Sequence, residues 1–310
     1  MNPLLISCGR YDANMMNYLS DCLKKRSHTP SVMSFFDDFF DYKKPPECAI
    51  ILGDKYEHLK CAMNAYRADV PVVHLHGGEI TDCHKDNGYR WAISQIASAH
   101  FAATRLSKDR LVHAGFREKN VSMVGALGVE ILLGIKDEIL VTNPHVKMTI
   151  GISYNPQKDE DAQEIVKACN AINEIYREVD FIITAPGRDP GYSIVLDELR
   201  QIKGNVSVFD ELGMKYYHLL KQATVMIGNS SSLVIEAPIA GCGIVLVGDR
   251  QTGRELASNI IQVPCGEYFI VEAVKKALNT DPVEIEDHPY YHPDTSKLII
   301  DKLEEIFGNV

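Results

Sequence analysis

Short apolar runs alternate along this chain with longer stretches whose apolar residues recur at helical spacing. The first run covers residues 3–8 and closes at Gly9-Arg10-Tyr11-Asp12. Met15, Met16, Leu19 and Leu23 then mark one face of a helix. A strand over residues 48–52 ends in Gly53-Asp54-Lys55-Tyr56-Glu57 and passes into a helix that reaches Arg67. Residues 71–75 form a further strand, which leads into His76-Gly77-Gly78-Glu79 and a polar turn over 81–86. A helix over 89–98, a strand over 100–104, a helix holding Arg110 and Leu111, and a strand over 121–124 complete the first series. Residues 125–147, with Gly128, Gly134, Asn143 and Pro144, read as the crossing between domains. A second series follows, with strands over 148–154, 181–184, 206–209, 225–227, 244–247 and 260–263. Helices are expected over 160–178, 193–201, 215–222, 270–279 and 295–307. This alternation predicts an α/β protein of two Rossmann-like domains facing a cleft, residues 1–140 and 141–310, with the C-terminal helix free to pack back on the first.

Composition narrows the class. The 310 residues are 45% hydrophobic and 24% charged, enough for two ordinary cores and unlike a disordered chain. The net charge of −10 argues against a broad nucleic-acid contact. The 8 cysteines show no CxxC pair, so free buried thiols in a reducing cytoplasm are expected. No signal-peptide pattern or membrane-length apolar run is apparent, and no internal repeat or low-complexity tract.

Residues 226–255 hold the densest chemistry. An apolar run ends at Gly228 and Asn229, and Ser230, Ser231 and Ser232 follow. A helix-like run contains Glu236, and a second strand ends at Gly248-Asp249-Arg250. Serines at a helix start leave N–H groups outward for an anion, and a carboxylate one turn on suits vicinal sugar hydroxyls. The plain alternative is a strand and helix with a serine cap. Arg10, after the first strand, is placed for a phosphate or a base, or is a solvated turn residue. His74, His76, Cys83 and His84 are close in sequence, but the alternation of His74 and His76 on a strand speaks against zinc. Residues 288–293 read as a rigid surface segment fixed by Pro289 and Pro293, and Trp91 as a packing residue.

Taken together, these motifs resemble the hydrolysing UDP-N-acetylglucosamine 2-epimerases of the sialic-acid-pathway type. The residues that carry the resemblance are Gly9-Arg10-Tyr11-Asp12, Gly53-Asp54-Lys55-Tyr56-Glu57, His74-Leu75-His76-Gly77-Gly78-Glu79, Asp86 with Arg90-Trp91-Ala92-Ile93, and residues 100–104. In the second half they are Gly228-Asn229-Ser230-Ser231-Ser232, Glu236-Ala237-Pro238 and residues 248–255, which include Arg250 and Arg254. The resemblance implies a GT-B-like fold and no metal or redox cofactor. It implies C2 deprotonation of UDP-N-acetylglucosamine, loss of UDP, and hydration of the glycal to N-acetylmannosamine. Arg10, Ser231, Ser232 and Glu236 would hold UDP, and Arg250 and Arg254 would contact the nucleotide. Asp54, Glu79 and Asp86 would be the acid/base set, with Lys55, His76, Arg90, Asn229 and Ser230 among the substrate contacts. Repulsion and partial burial are expected to raise some of these carboxyl pKa values. A homo-oligomer, most simply a dimer, is implied.

Three departures bear on the reaction. Asn155, before Pro156, stands at the family's catalytic histidine position and carries no proton at neutral pH. Asp86-Asn87 replaces the usual pair of acids, and Trp91 the usual histidine. Arg10 and Asp54 lie several tens of positions closer than in the family, so a shortened first domain is expected, lacking a strand and a helix or two. These losses on the sugar side keep two other readings open. One is a GT-B-like glycosyltransferase using a UDP-sugar on a small molecule, a glycan or a modified nucleic-acid base. The other is an inactive nucleotide-sugar binding homologue.

Overall fold

The computed structural model describes residues 1–34, 45–136, 148–157, 161–186 and 190–308. Contacts divide the chain into two compact units. The first holds Met1–Leu133, Gly253–Glu255 and Pro289–Val310; the second holds Gly134–Thr252 and Leu256–His288.

The first unit runs β1 (Leu4–Ser7), α1 (Arg10–Lys25), β2 (Ser31–Ser34), β3 (Ala49–Leu52), α2 (Tyr56–Arg67), β4 (Val72–Leu75), α3 (His84–Ile96), β5 (Ala99–Ala102), α4 (Arg105–His113), β6 (Val121–Met123) and α5 (Leu127–Gly134). Its six strands are parallel in the order β2-β1-β3-β4-β5-β6. The strand order reverses between β1 and β3, so Gly9 and Gly53 both leave the sheet at its switch point, where open α/β sheets take ligands. Leu4 and Ile6 of β1, Ala49 and Ile51 of β3 and Val72 of β4 share a core with Cys61, Ala62 and Ala65 of α2 and Ile93 of α3. Each large aliphatic side chain buried in this way stabilises the fold by about 1.5–3 kcal/mol.

The second unit runs β7 (Met148–Ser153), α6 (Asp161–Tyr176), β8 (Val179–Thr184), α7 (Tyr192–Leu199), β9 (Asn205–Phe209), α8 (Lys215–Gln222), β10 (Val225–Gly228), α9 (Ser232–Ile235), β11 (Gly243–Val247), β12 (Ile260–Val263) and α10 (Glu267–Ala277). Its parallel strands take the order β12-β11-β10-β7-β8-β9. The reversal here lies between β7 and β10, from which the segments of Asn155 and Asn229 emerge. Ile150, Ile152, Phe181, Ile183, Val225 and Val245 pack on α6 and α10 through Ile165, Cys169, Ile172, Ile270 and Val274. The chain then returns to the first unit as α11 (Thr295–Phe307). There Ser296 donates from its N–H and Oγ to Glu130 of α5 at 2.5 and 2.6 Å, and Tyr18 of α1 donates to the same carboxylate at 2.9 Å.

The elements differ from the sequence reading in five places. β2 is an edge strand between α1 and β3 that the apolar pattern did not mark. α3 begins at His84, so Asp86 lies in its first helical turn, where a carboxylate suits the dipole, and not in a loop. Residues 127–134 of the expected crossing are the buried helix α5; Asn143 and Pro144 lie outside the described residues. α9 is a single turn that stops at Ile235, since Pro238 follows, and Glu236 joins it to a 3-10 turn over Ala237–Ile239. Residues 288–293 are no surface segment throughout, because His288 and Tyr290 are buried.

Among the described residues none of the 8 cysteines is in a disulfide, and Cys48, Cys61, Cys169 and Cys242 are buried. Trp91 packs against the cluster of Ala102, Leu111 and Val121. No helix among the described residues is long and apolar enough to cross a membrane.

Candidate functional site

In the first unit the candidate residues gather where β3 and β4 end. Leu52 pairs with Leu75, which brings the Gly53-Asp54-Lys55 turn beside His76. His76 adopts a left-handed backbone at φ 60°, uncommon for a residue with a side chain, and its N–H donates to Phe101 O at 2.9 Å. This bend turns Gly77-Gly78-Glu79 off the strand direction. Glu79 is 2% exposed. Its Oε1 meets His76 Nδ1 at 2.8 Å, and its Oε2 takes Arg254 Nε at 2.8 Å and Nη2 at 2.6 Å.

Arg90 of α3 is buried and forked across the same cluster. Its Nη1 donates to Glu79 O at 3.0 Å and to Asn87 Oδ1 at 2.8 Å, and its Nη2 is ion-paired with Asp54. Asn87 in turn bridges Thr81 through both its amide and its carbonyl oxygen. Asp54 keeps a quarter of its side chain exposed, at 25%, whereas Arg90 keeps 3%. Arg90 is thus the enclosed partner of the pair and Asp54 the partly exposed one. Asp86 is half-buried in the first turn of α3.

The electrostatics reverse one sequence expectation. Burial alone would raise the carboxyls of Asp54 and Glu79. For Asp54 the guanidiniums of Arg90 and Arg254 outweigh it, and for Glu79 the positive Arg254 and then His76 do so. Both groups are held below their ordinary values, as ionised carboxylates. Tyr290 lies beside Glu79, Arg254, Glu255 and Arg110, and burial followed by Glu79 pushes its phenol up, so it stays protonated. Sequence reasoning missed Tyr290, because the flanking prolines were the stronger signal. Among the described residues no group of three or more His, Cys, Asp or Glu is arranged to hold a metal ion.

In the second unit Gly228 pairs with Ser153. A Cβ at Gly228 would stand 1.9 Å from Ser153 O, and its φ is +153°, so only glycine lets β10 close on β7 here. Asn229 is fully buried and acts as a strap. Its Oδ1 accepts Asn155 N–H at 2.7 Å and its Nδ2 donates to Asn155 O at 2.9 Å. Its own carbonyl takes Arg250 Nη1 at 3.2 Å and Gln251 Nε2 at 2.7 Å. Gln251 had no sequence signal of its own beyond its place in residues 248–255.

Ser230 and Ser231 are half-buried and Ser232 is 1% exposed. Ser232 Oγ donates to Ser230 Oγ at 3.1 Å, so Tyr216 O–H donates to Ser232 at 2.5 Å. Tyr216 thereby orders the serine hydroxyls, a role that the helical reading of residues 215–222 did not reveal. Glu236 is 1% exposed at the end of α9. Lys55 is the N-cap residue of α2. Arg10 opens α1, and its side chain lies outside the described residues.

The UDP-N-acetylglucosamine 2-epimerase family model matches residues 15–304. The chain is 30% identical over 264 residues to the UDP-N,N'-diacetylbacillosamine 2-epimerase (hydrolyzing) of Legionella pneumophila, covering 80% of this chain and 68% of that protein. It is 32% identical over 249 residues to the GDP/UDP-N,N'-diacetylbacillosamine 2-epimerase (hydrolyzing) of Campylobacter jejuni, covering 76% of this chain and 64% of that one. The Neisseria meningitidis UDP-GlcNAc 2-epimerase solved with UDP-GlcNAc superposes with a TM-score of 0.77 at 18% identity, covering 98% of this chain and 100% of that chain. The Methanocaldococcus jannaschii enzyme solved with UDP-GlcNAc and UDP gives 0.77 at 16% identity, with 98% and 100% covered. The two parallel sheets are thus of the GT-B-like type. A match that leaves out little more than the first residues and the last places the chain: it belongs to the UDP-N-acetylglucosamine 2-epimerase family.

Proposed function

We propose that this chain is a hydrolysing 2-epimerase of a UDP-2-acetamido sugar, converting UDP-N-acetylglucosamine and water to N-acetylmannosamine and UDP. One observation carries the reading: the partly exposed, ionised carboxylate of Asp54 is fixed by Arg90 beside the buried pair of Glu79 and Arg254. As the C1–O bond to UDP stretches, positive charge develops at C1 of the sugar. That charge acidifies the neighbouring C2–H, so a carboxylate of depressed pKa suffices as the base. The C2–H electron pair becomes the C1=C2 bond of the glycal as the C1–O bond breaks. A proton then returns to C2 from the other face, and water adds to C1.

In this reading Asp54 and Asp86 divide the proton transfers. Glu79 holds Arg254 and His76 in place and supplies negative charge close to the developing cation. Arg10, Ser230, Ser231, Ser232, Arg250 and Glu236 take the nucleotide, the serines at phosphate and Glu236 at ribose. Asn229 serves by holding the Asn155 backbone. Lys55 and the half-buried amide of Asn155 are further sugar contacts. No metal or redox group is assigned to any step. The resemblance also assigns a homodimer, which sedimentation would test.

The relatives named for UDP-N,N'-diacetylbacillosamine make that sugar the second substrate to assay. Release of UDP without an acceptor, from either sugar, is expected, and Asp54→Asn should abolish it while calorimetric UDP binding persists. Turnover that needs an added acceptor would instead establish the glycosyltransferase reading, which Asn155 at the histidine position favours. UDP binding with no turnover under any condition would point to a binding homologue.

A further inference from the structure

A buried Asp–His pair stands behind the Asp54 turn. Asp12 and His58 are each 4% exposed. Asp12 Oδ2 accepts the Cys8 N–H at 2.7 Å and meets His58 Nε2 at 3.0 Å. The opposite ring nitrogen, Nδ1, accepts the Lys55 N–H at 3.3 Å. Since Nδ1 accepts, Nε2 carries the proton and donates to Asp12, which fixes the tautomer and the ring orientation.

The ring also sets the path of the turn by contact. Gly53 has φ +143°, and a Cβ there would stand 2.4–2.7 Å from His58 Cε1, Nε2 and Nδ1. From the other side His74 Nε2 donates to Gly53 O at 3.3 Å, while His74 Nδ1 accepts from Ser94 Oγ at 2.9 Å. Gly53 is thus held between two imidazoles, and Asp54 is the next residue. Its carboxylate is ion-paired with Arg90, but that pair fixes only the side chain; the backbone that aims it is fixed by His58 and His74.

We infer that Asp12 and His58 are positioning residues for Asp54, which set where its carboxylate stands by holding the Gly53-Asp54-Lys55 turn against the start of α1. This inference rests on the role proposed above for Asp54. It draws on the elementary cost of displacing a reacting group: a shift of about 1 Å is worth about a hundredfold in rate.

The test uses His58→Phe, which keeps a ring against Gly53 but neither hydrogen bond, and His58→Gln. Glutamine at the third helical position is an ordinary acceptor for the N-cap N–H, here that of Lys55. In His58→Phe, kcat should fall by about a hundredfold with KM for the UDP-sugar and inhibition by UDP unchanged. His58→Gln should recover most of that loss, and Asp12→Asn should fall between the two. A merely structural role would lower the folded fraction alike in all three and leave kcat per folded molecule unaltered. Folded His58→Phe with kcat within twofold of the parent would overturn the inference.

Amide hydrogen exchange separates this inference from the epimerase reading. If the parent protein turns over no UDP-acetamido sugar, the functional reading fails, yet His58→Phe must still speed exchange at the Lys55 amide by about tenfold or more, the loss of one partly buried hydrogen bond. Unchanged exchange at Lys55 would overturn the positioning role whatever the activity.

Discussion

Arg254 is buried with its guanidinium forked onto Glu79, at 2.6 Å for the closest contact. Removing one partner of such a pair leaves an uncompensated buried charge. Arg254→Ala should therefore cost about 3–5 kcal/mol of unfolding free energy, read from urea titration. The same pair gives an acid dependence. The Glu79 carboxyl is held below its ordinary value, so its contribution is complete above about pH 4.3 and is lost as the pH falls towards the native value. His74 acts in a higher window: burial pushes its pKa down to about 3, so the native ring stays neutral while the unfolded chain takes a proton below about pH 6.5. Stability should decline from about pH 6.5 downward, by at most about 1.4 kcal/mol per pH unit for each group. In a pH series of urea midpoints, His74→Gln should flatten the upper part of this limb, and Glu79→Gln the part below about pH 4.3. The carboxylates themselves were legible in the sequence, because glycines mark turns that end strands. Their depressed pKa values were not. Arg90 and Arg254 reach them from other elements, and spacing along a chain does not report such contacts.

At the scale of elements, the parallel sheets were legible because buried strands read as unbroken apolar runs. β2 was not: Ser31-Val32-Met33-Ser34 is short, lies at the sheet edge and exposes Val32 at 42%. The start of α3 was hidden as well, since its first turns are polar and only the later ones face the core. Between β10 and β7 the fold depends on close approach, with Gly228 against Ser153. Gly228→Ala should separate the strands, loosen the Asn229 strap on Asn155, and weaken UDP binding by more than about tenfold, equivalent to about 1.4 kcal/mol. Isothermal calorimetry with UDP alone checks this, and affinity equal to the parent's would show that the strap does not order the nucleotide loop. Asn155→His addresses the same strand end. Restoring the family's side chain there should raise turnover in an epimerase, whereas steady-state rates of a transferase should gain nothing.

Across the whole molecule, the first unit is built from three stretches of chain, the last of them residues 289–310. α11 carries Ile299, Ile300 and Leu303 into that unit, each at most 1% exposed, and Ser296 binds Glu130 there. Ending the chain before Pro289 should leave the first unit open to limited proteolysis while the second unit remains resistant. The family and its GT-B-like fold were legible because their motifs recur in order along most of the sequence. The course of residues 253–255 was not, since no local pattern tells a chain to return to an earlier sheet. Proton NMR of the purified protein with UDP-N-acetylglucosamine in deuterated water separates a hydrolysing 2-epimerase from the other readings. The enzyme should release free N-acetylmannosamine carrying deuterium at C2, with UDP in equal amount and no acceptor present. Saturable UDP binding with the sugar nucleotide unchanged, its C2 proton retained, would contradict the epimerase reading for this substrate.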